Sequence, residues 1–162
     1  MLTDNEKTSI SEENIMDISI PGVQKQKFRI NGNRILELDT SDINIVTRLH
    51  EAYPKLNELA NEATEKVDID SSKSVEEQLS SMASILKEID DKMREYIDYI
   101  FDSNVSEICA PTGSMYAPYG GKFRFEHITE TLGGLYKTKI DEEARKLSKR
   151  MKAHTSKYTG RK

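Results

Sequence analysis

The chain has 162 residues, enough for one compact domain and too few for two ordinary ones. About a third of the residues are charged, the net charge is −4, and the single cysteine, Cys109, excludes an internal disulfide. No stretch approaches the roughly eighteen apolar residues of a membrane helix, and the polar start does not resemble a signal peptide. We therefore expect a soluble, intracellular protein.

The first predicted elements are a polar leader and a β-hairpin. Residues 1–24 are rich in Glu, Ser, Thr and Asn, a composition that predicts a flexible acidic leader. Two short alternating apolar runs then lie on either side of Asn31-Gly32, a pair that readily adopts the positive φ values of a tight turn. The pattern predicts a β-hairpin over residues 26–38.

Two helices with apolar seams follow the hairpin. The first begins after a cluster of N-cap residues and runs to about Lys66, and we expect Pro54 to kink or break it. The second begins at a capping box, and its apolar residues from Val75 to Ile100 recur at alternating steps of four and three. The two seams, joined by the short connection 67–73, predict an antiparallel helical hairpin.

The rest of the sequence predicts one more helix. The segment 102–121 contains Pro and Gly turn signals and is predicted to be irregular. A third amphipathic helix runs from Phe123 to about Ala153, with a bend or break expected at Gly133-Gly134. Residues 154–162 then form a basic tail. The predicted fold is mainly α, an antiparallel helical hairpin plus a C-terminal helix and a small N-terminal β-hairpin, with residues 25–153 as a single helical domain.

No combination of residues indicates a catalytic, cofactor or metal site. The histidines His50, His127 and His154 are isolated from one another and from Cys109, whereas a metal site needs clustered ligands. The sequence Gly120-Gly121-Lys122 lacks the Ser or Thr and the earlier glycine of a phosphate-binding loop. We therefore expect a non-enzymatic protein that uses no cofactor and acts by binding other proteins.

Two parts of the chain are candidates for partner binding. Long irregular loops in compact domains are usually functional, and methionine adapts to imperfectly repeating ligands. Residues 137–162 contain ten Lys or Arg against three Asp or Glu, and these cations are suited to an acidic surface of the same or a neighbouring subunit. The candidate partner-binding residues are Phe101, Met115, Tyr116, Tyr119, Lys146, Lys149, Arg150 and Lys152.

Short motifs carry a family resemblance over residues 26–128. They are Ile35-Leu36-Glu37-Leu38-Asp39 in the hairpin, Arg48-Leu49, the helix end Tyr96-Ile97-Asp98-Tyr99-Ile100-Phe101-Asp102, and Ser106-Glu107-Ile108. In these motifs the chain resembles the tail assembly chaperones of long-tailed (siphophage-type) bacteriophages of Gram-positive hosts. The resemblance implies a chaperone in the host cell cytoplasm, with the tape-measure and tail tube proteins as partners. We also expect a homo-oligomer, because a helical seam covered on one side only leaves apolar area exposed.

Two alternatives stay open at the level of sequence. A small phage structural or accessory interaction protein, either a virion component or an inhibitor of a host system, would bind a folded partner at fixed stoichiometry. A nucleic-acid-binding accessory factor acting through residues 145–162 would bind with strong salt dependence, although the acidic body disfavours it. No membrane partner is expected.

Overall fold

The helices and strands follow one another in the order that the sequence patterns predict. The computed structural model describes residues 14–22, 25–66, 72 and 74–160. Within these ranges the elements are β1 (Gln26–Ile30), β2 (Arg34–Leu38), α1 (Ile45–Glu65), α2 (Val75–Phe101), α3 (Val105–Cys109), β3 (Pro118–Tyr119), β4 (Lys122–Phe123) and α4 (Arg124–Thr159). The predicted fold class, mainly helical with a small N-terminal β-hairpin and a C-terminal helix, is confirmed.

The N-terminal hairpin forms as the Asn-Gly pair predicts. β1 and β2 are antiparallel, with Ile30 opposite Arg34, and the turn residues Asn31 and Gly32 have φ values of 48° and 85°. Alternate residues of β2 face the helices, so that Leu36 and Leu38 are fully buried while the intervening residue is exposed.

α1 and α2 pack against each other in antiparallel orientation. The Lys55 ammonium lies 5.4 Å from the ring centroid of Tyr96, and Arg48 Nε donates to the carbonyl oxygen of Ile100 (2.8 Å). An earlier residue of α1 thus lies beside a later residue of α2, so the two helices run in opposite directions. Most of the buried side chains of α1 are small, whereas those of α2 are large. The buried residues are Ile45, Ala52, Leu56, Ala60 and Ala63 from α1, and Ile89, Met93, Ile97, Ile100 and Phe101 from α2.

The apolar seam of α2 is buried over its C-terminal half only. Burial begins at Ile89, whereas Val75 is 70% exposed and Leu79 is 59% exposed. Because α1 ends at Glu65, the first turns of α2 extend past it. The periodicity of the sequence predicts the helix correctly, but it does not show which part of the seam is covered.

α1 and α4 are not broken at Pro54 or at Gly133-Gly134, whereas a kink or bend at these positions stays a prediction. α1 is continuous through Pro54. Proline has no N–H to donate to the carbonyl of His50, one turn earlier. Both residues are exposed, so this carbonyl can bond to water instead. α4 is continuous through Gly133-Gly134, because Leu132 and Tyr136 are buried on either side and hold the helix in place. Packing outweighs the weak helix propensity of the two glycines.

α4 crosses the helical hairpin and then leaves it. The ring of Phe125 meets that of Tyr53 edge-on at 5.6 Å, and further along α4 the ring of Tyr136 lies 5.9 Å from that of Phe101. α4 therefore runs from the middle of α1 to the C-terminal end of α2. It continues beyond its predicted end at Ala153, and residues 154–159 are helical.

The segment 102–121, predicted to be irregular, contains defined structure. It includes α3 and the two-residue strand β3, which pairs with β4. Met115 between them is fully buried.

Parts of the predicted domain division lie outside the described residues, namely 1–13 and 23–24 of the leader and most of the connection 67–73. The division into leader, helical domain and basic tail stays a prediction.

Candidate partner-binding surfaces

An arginine on α2 organises the segment that follows this helix. Arg94 Nε donates to Asp90 Oδ2 one turn earlier (2.8 Å). Its two terminal nitrogens donate to three backbone carbonyls, those of Ser106 (3.1 Å), Ala110 (2.8 Å) and Gly113 (2.7 Å). A guanidinium presents five donors in a rigid plane, so that one side chain can bridge a carboxylate and a curved stretch of backbone.

Two carboxylates on the same face of α2 complete this attachment. Asp90 Oδ1 accepts a hydrogen bond from the backbone N–H of Met115 (2.7 Å). Asp98 accepts from both the backbone N–H (2.7 Å) and the hydroxyl (2.9 Å) of Ser106. Together with Arg94 they form a polar stripe, Asp90-Arg94-Asp98, spaced one turn apart. The stripe orders the segment between α2 and α4 and places Met115 in the core.

A second arginine, on α4, fixes the same segment from the other side. Arg124 Nη1 donates to the carbonyl oxygen of Thr112 (2.6 Å). Gly113 has φ = 79°, and a Cβ built on it would lie 2.5 Å from Arg124 Nη1. Glycine is favoured at this position by its backbone conformation, and a larger residue would also displace the Arg124 guanidinium from its present place.

The structure divides the predicted partner-binding residues into three groups. Phe101 (2% exposed) and Met115 (0%) belong to the core and, in this structure, present no surface to a partner. The sequence does not show this burial, because it depends on contacts distant in the chain: Phe101 lies against Tyr136 of α4, and the backbone of Met115 bonds to Asp90 of α2. Tyr116 is partly buried against the same core.

Tyr119 lies at the turn of the β3–β4 hairpin and is 79% exposed. Its carbonyl oxygen accepts a hydrogen bond from His127 Nε2 (2.7 Å), and the two rings lie 5.7 Å apart. This histidine therefore stabilises the turn of the hairpin.

The four predicted cations are exposed on the last turns of α4. Lys146 pairs with Glu142 (3.1 Å) and Glu143 (3.2 Å), and Lys149, Arg150 and Lys152 follow it. We call residues 144–159 of α4 the distal segment. Every side chain in it is exposed, including Leu147 (56%), Met151 (68%) and Tyr158 (77%). A groove runs along this helix, lined by Ala144, Leu147, Ser148, Met151, Lys152, Thr155, Ser156 and Thr159.

Among the described residues, Cys109 is the candidate for a reactive thiol, and clustered His, Cys, Asp or Glu side chains would be the candidates for a metal site. Burial raises the pKa of the Cys109 thiol to about 11, so this cysteine stays protonated at neutral pH. Within the ranges that the structure covers, no group of three or more His, Cys, Asp or Glu side chains could hold a metal ion. Nor does any described helix combine the length and apolar composition needed to cross a membrane. The expectation that the chain is not an enzyme stays a prediction.

Comparison with known families identifies a match over most of the chain. A family model described as "Med11: Mediator complex protein" matches residues 32–160. The matched region begins at the turn of the first hairpin and includes α1, α2, α3 and α4. No curated protein and no solved structure matches the chain.

This match overturns the resemblance to phage tail assembly chaperones. The predicted phage function and its phage alternatives are wrong. The tape-measure and tail tube partners and the location in a host cell cytoplasm are also wrong. The match does not test the expected homo-oligomer, which stays a prediction. The motifs behind the resemblance are explained by packing. Leu36, Leu38 and Ile100 are core residues, and Asp98 binds Ser106. A hairpin packed on a helix end requires such short apolar patterns whatever the protein does.

Proposed function

The chain belongs to the Med11 family of Mediator complex proteins, and from this premise we propose that it is a subunit of the Mediator complex. Its role would then be in the regulation of eukaryotic transcription, and its location the nucleus. The observation that carries the proposal is the extent of the family match, which runs from residue 32 to residue 160 and so includes every helix of the described chain.

The structure supports a role in assembly rather than in chemistry. α4 leaves the helical body with exposed apolar side chains at Leu147, Met151 and Tyr158, an arrangement typical of a helix that a neighbouring protein covers. His127 bonds to the backbone of the β3–β4 turn, and Cys109 is a partly buried thiol whose pKa is raised, so both side chains are accounted for by structural contacts. We therefore propose that the chain acts by holding other Mediator subunits, without catalysis of its own.

Affinity purification tests the membership directly. The full chain would be tagged in its own organism and recovered from nuclear extract, and the recovered proteins identified by mass spectrometry. We expect Mediator subunits at a constant ratio to the tagged chain after washes of increasing salt, because subunit interfaces are large and partly apolar. Reciprocal purification through a different Mediator subunit should recover the chain.

The control is an unrelated helical protein of similar size and charge, carrying the same tag. Recovery of the chain without Mediator subunits, or with amounts no greater than this control gives, would contradict the proposal.

A further inference from the structure

The apolar face of α4 continues, without a change of phase, from the core into solvent. Tyr136, Ile140, Leu147, Met151 and Tyr158 follow at steps of four, seven, four and seven residues. These steps keep all five side chains on one side of the helix, because eleven residues make about three helical turns. Tyr136 is 2% exposed and Ile140 is partly buried, whereas the last three are 56%, 68% and 77% exposed. One stripe is thus covered by the chain at its start and uncovered along the distal segment.

This stripe has the narrow form of a coiled-coil seam. Ala144, Leu147, Met151, His154 and Tyr158 alternate at steps of three and four, as core positions of a heptad repeat do. The groove beside them is lined by small hydroxyl residues, among them Ser148 and Thr155. Small side chains there allow a second helix to approach closely. A helix that lies in a membrane surface usually has a wider apolar face with several large aromatic residues.

The charge of the distal segment has a single sign. Residues 144–159 contain six Lys or Arg residues and no Asp or Glu. Arg150 and Lys157 immediately precede the seam residues Met151 and Tyr158, so they occupy the flanking heptad positions that form ion pairs across a coiled coil. Arg145 and Lys149 lie on the opposite side of the helix, away from the seam. A helix with acidic residues at its own flanking positions matches this arrangement.

We propose that the distal segment docks an acidic amphipathic helix of a partner protein. The seam residues Leu147, Met151 and Tyr158 pack between the helices, and carboxylates of the partner pair with Arg150 and Lys157. The contact would extend over about 24 Å, the length of a sixteen-residue helix. A nucleic acid would use the cations but would leave the apolar stripe exposed. The inference rests on the proposed function, because it identifies the surface through which the chain meets a neighbouring subunit.

Two designed peptides test this with the full chain. Both are about three heptads long with Leu at the core positions; one carries Glu at the flanking positions and the other carries Lys. Binding of each fluorescently labelled peptide is measured by anisotropy at physiological salt. We expect the Glu peptide to bind at least tenfold more tightly than the Lys peptide, and the double variant L147S/M151S to lose this binding.

Charge reversal provides a matched pair of variants. R150E/K157E should invert the preference, so that the Lys peptide binds more tightly than the Glu peptide. R145E/K149E changes the net charge by the same amount on the opposite side of the helix and should alter the affinity no more than about threefold. Circular dichroism checks that each variant keeps its helical content, which we expect because all the substituted side chains are exposed.

Several outcomes would overturn the inference. Equal affinity for both peptides, or equal losses in the two charge-reversal variants, would show that only net charge matters. Tighter binding to duplex DNA or to phosphatidylserine vesicles than to the Glu peptide would assign the surface to those ligands. Self-association of the chain alone, abolished by L147S/M151S, would show that a second copy covers the stripe.

The peptide assay and the purification fail independently. A chain that is recovered with Mediator but discriminates neither peptide overturns this inference alone. A chain that binds the Glu peptide but is never recovered with Mediator overturns the proposed function.

Discussion

Arg94 shows how one side chain can determine the path of a long segment. Its side chain is 22% exposed and bonds to Asp90 and to the carbonyls of Ser106, Ala110 and Gly113. When a partly buried carbonyl loses its donor, it remains desolvated without a hydrogen bond, which costs free energy. For a partly buried carboxylate that loses its cation, this cost is larger. The guanidinium therefore contributes more than an exposed ion pair would.

We predict that Arg94→Ala lowers the free energy of unfolding by about 2 to 3 kcal/mol. Arg94→Lys should recover less than half of this loss, because an ammonium cannot bond to the carboxylate and three carbonyls in one plane. Urea denaturation followed by circular dichroism measures both. The control is Lys92→Ala, which removes an exposed ion pair with Glu88 on the same helix and should change little. If Arg94→Ala shifted the midpoint no more than the control, the polar stripe would not stabilise the segment.

The first hairpin and the two long helices could be predicted from sequence because their patterns are local. Asn31-Gly32 specifies its turn within two residues, and the seam of α2 repeats within each heptad. The three carbonyls that Arg94 bonds to are 12 to 19 residues away in the chain and are backbone atoms, so no side-chain pattern indicates them. Phe101 and Met115, both predicted to bind a partner, are likewise buried by contacts distant in the chain, since Phe101 packs against Tyr136 and the backbone of Met115 bonds to Asp90.

Among the elements, α4 gives the clearest example of packing overriding propensity. Gly133 and Gly134 each disfavour a helix by roughly 1 kcal/mol relative to alanine, yet α4 passes through both. The buried side chains of Leu132 and Tyr136 anchor the turns before and after them. The two glycines therefore weaken the helix without interrupting it. Replacing an exposed glycine by alanine should stabilise the protein.

We predict that Gly134→Ala raises the free energy of unfolding by about 0.5 to 1 kcal/mol, because Gly134 is exposed and a Cβ there meets no atom within 4 Å. The same substitution at Gly113 should lower it by about 1 to 3 kcal/mol, since φ is 79°, a backbone conformation that alanine adopts only with strain. Thermal and urea unfolding of both variants measure whether the free energy of unfolding rises in the first and falls in the second. A loss of stability in Gly134→Ala would mean that α4 bends at the glycines after all.

At the scale of the whole molecule, α4 has two halves with different sources of stability. Residues 124–136 contribute Phe125, Leu132 and Tyr136 to the core, whereas no side chain of the distal segment is buried. A helix of about sixteen residues without tertiary contacts is only marginally stable in water. The distal segment therefore depends on its continuity with the packed half until a partner covers it.

Amide hydrogen exchange tests this difference along a single helix. We predict that amides of the distal segment exchange at least a hundredfold faster than those of residues 128–136, because opening the distal turns breaks no core contact. A chain ending at Glu143 should keep the unfolding midpoint of the full chain, since no side chain is buried among the removed residues that the structure describes, 144–160. Uniform protection along α4 would contradict the prediction. Protection that persisted on dilution would mean that the same chain covers the distal segment. Protection that disappeared on dilution would mean that a second copy covers it.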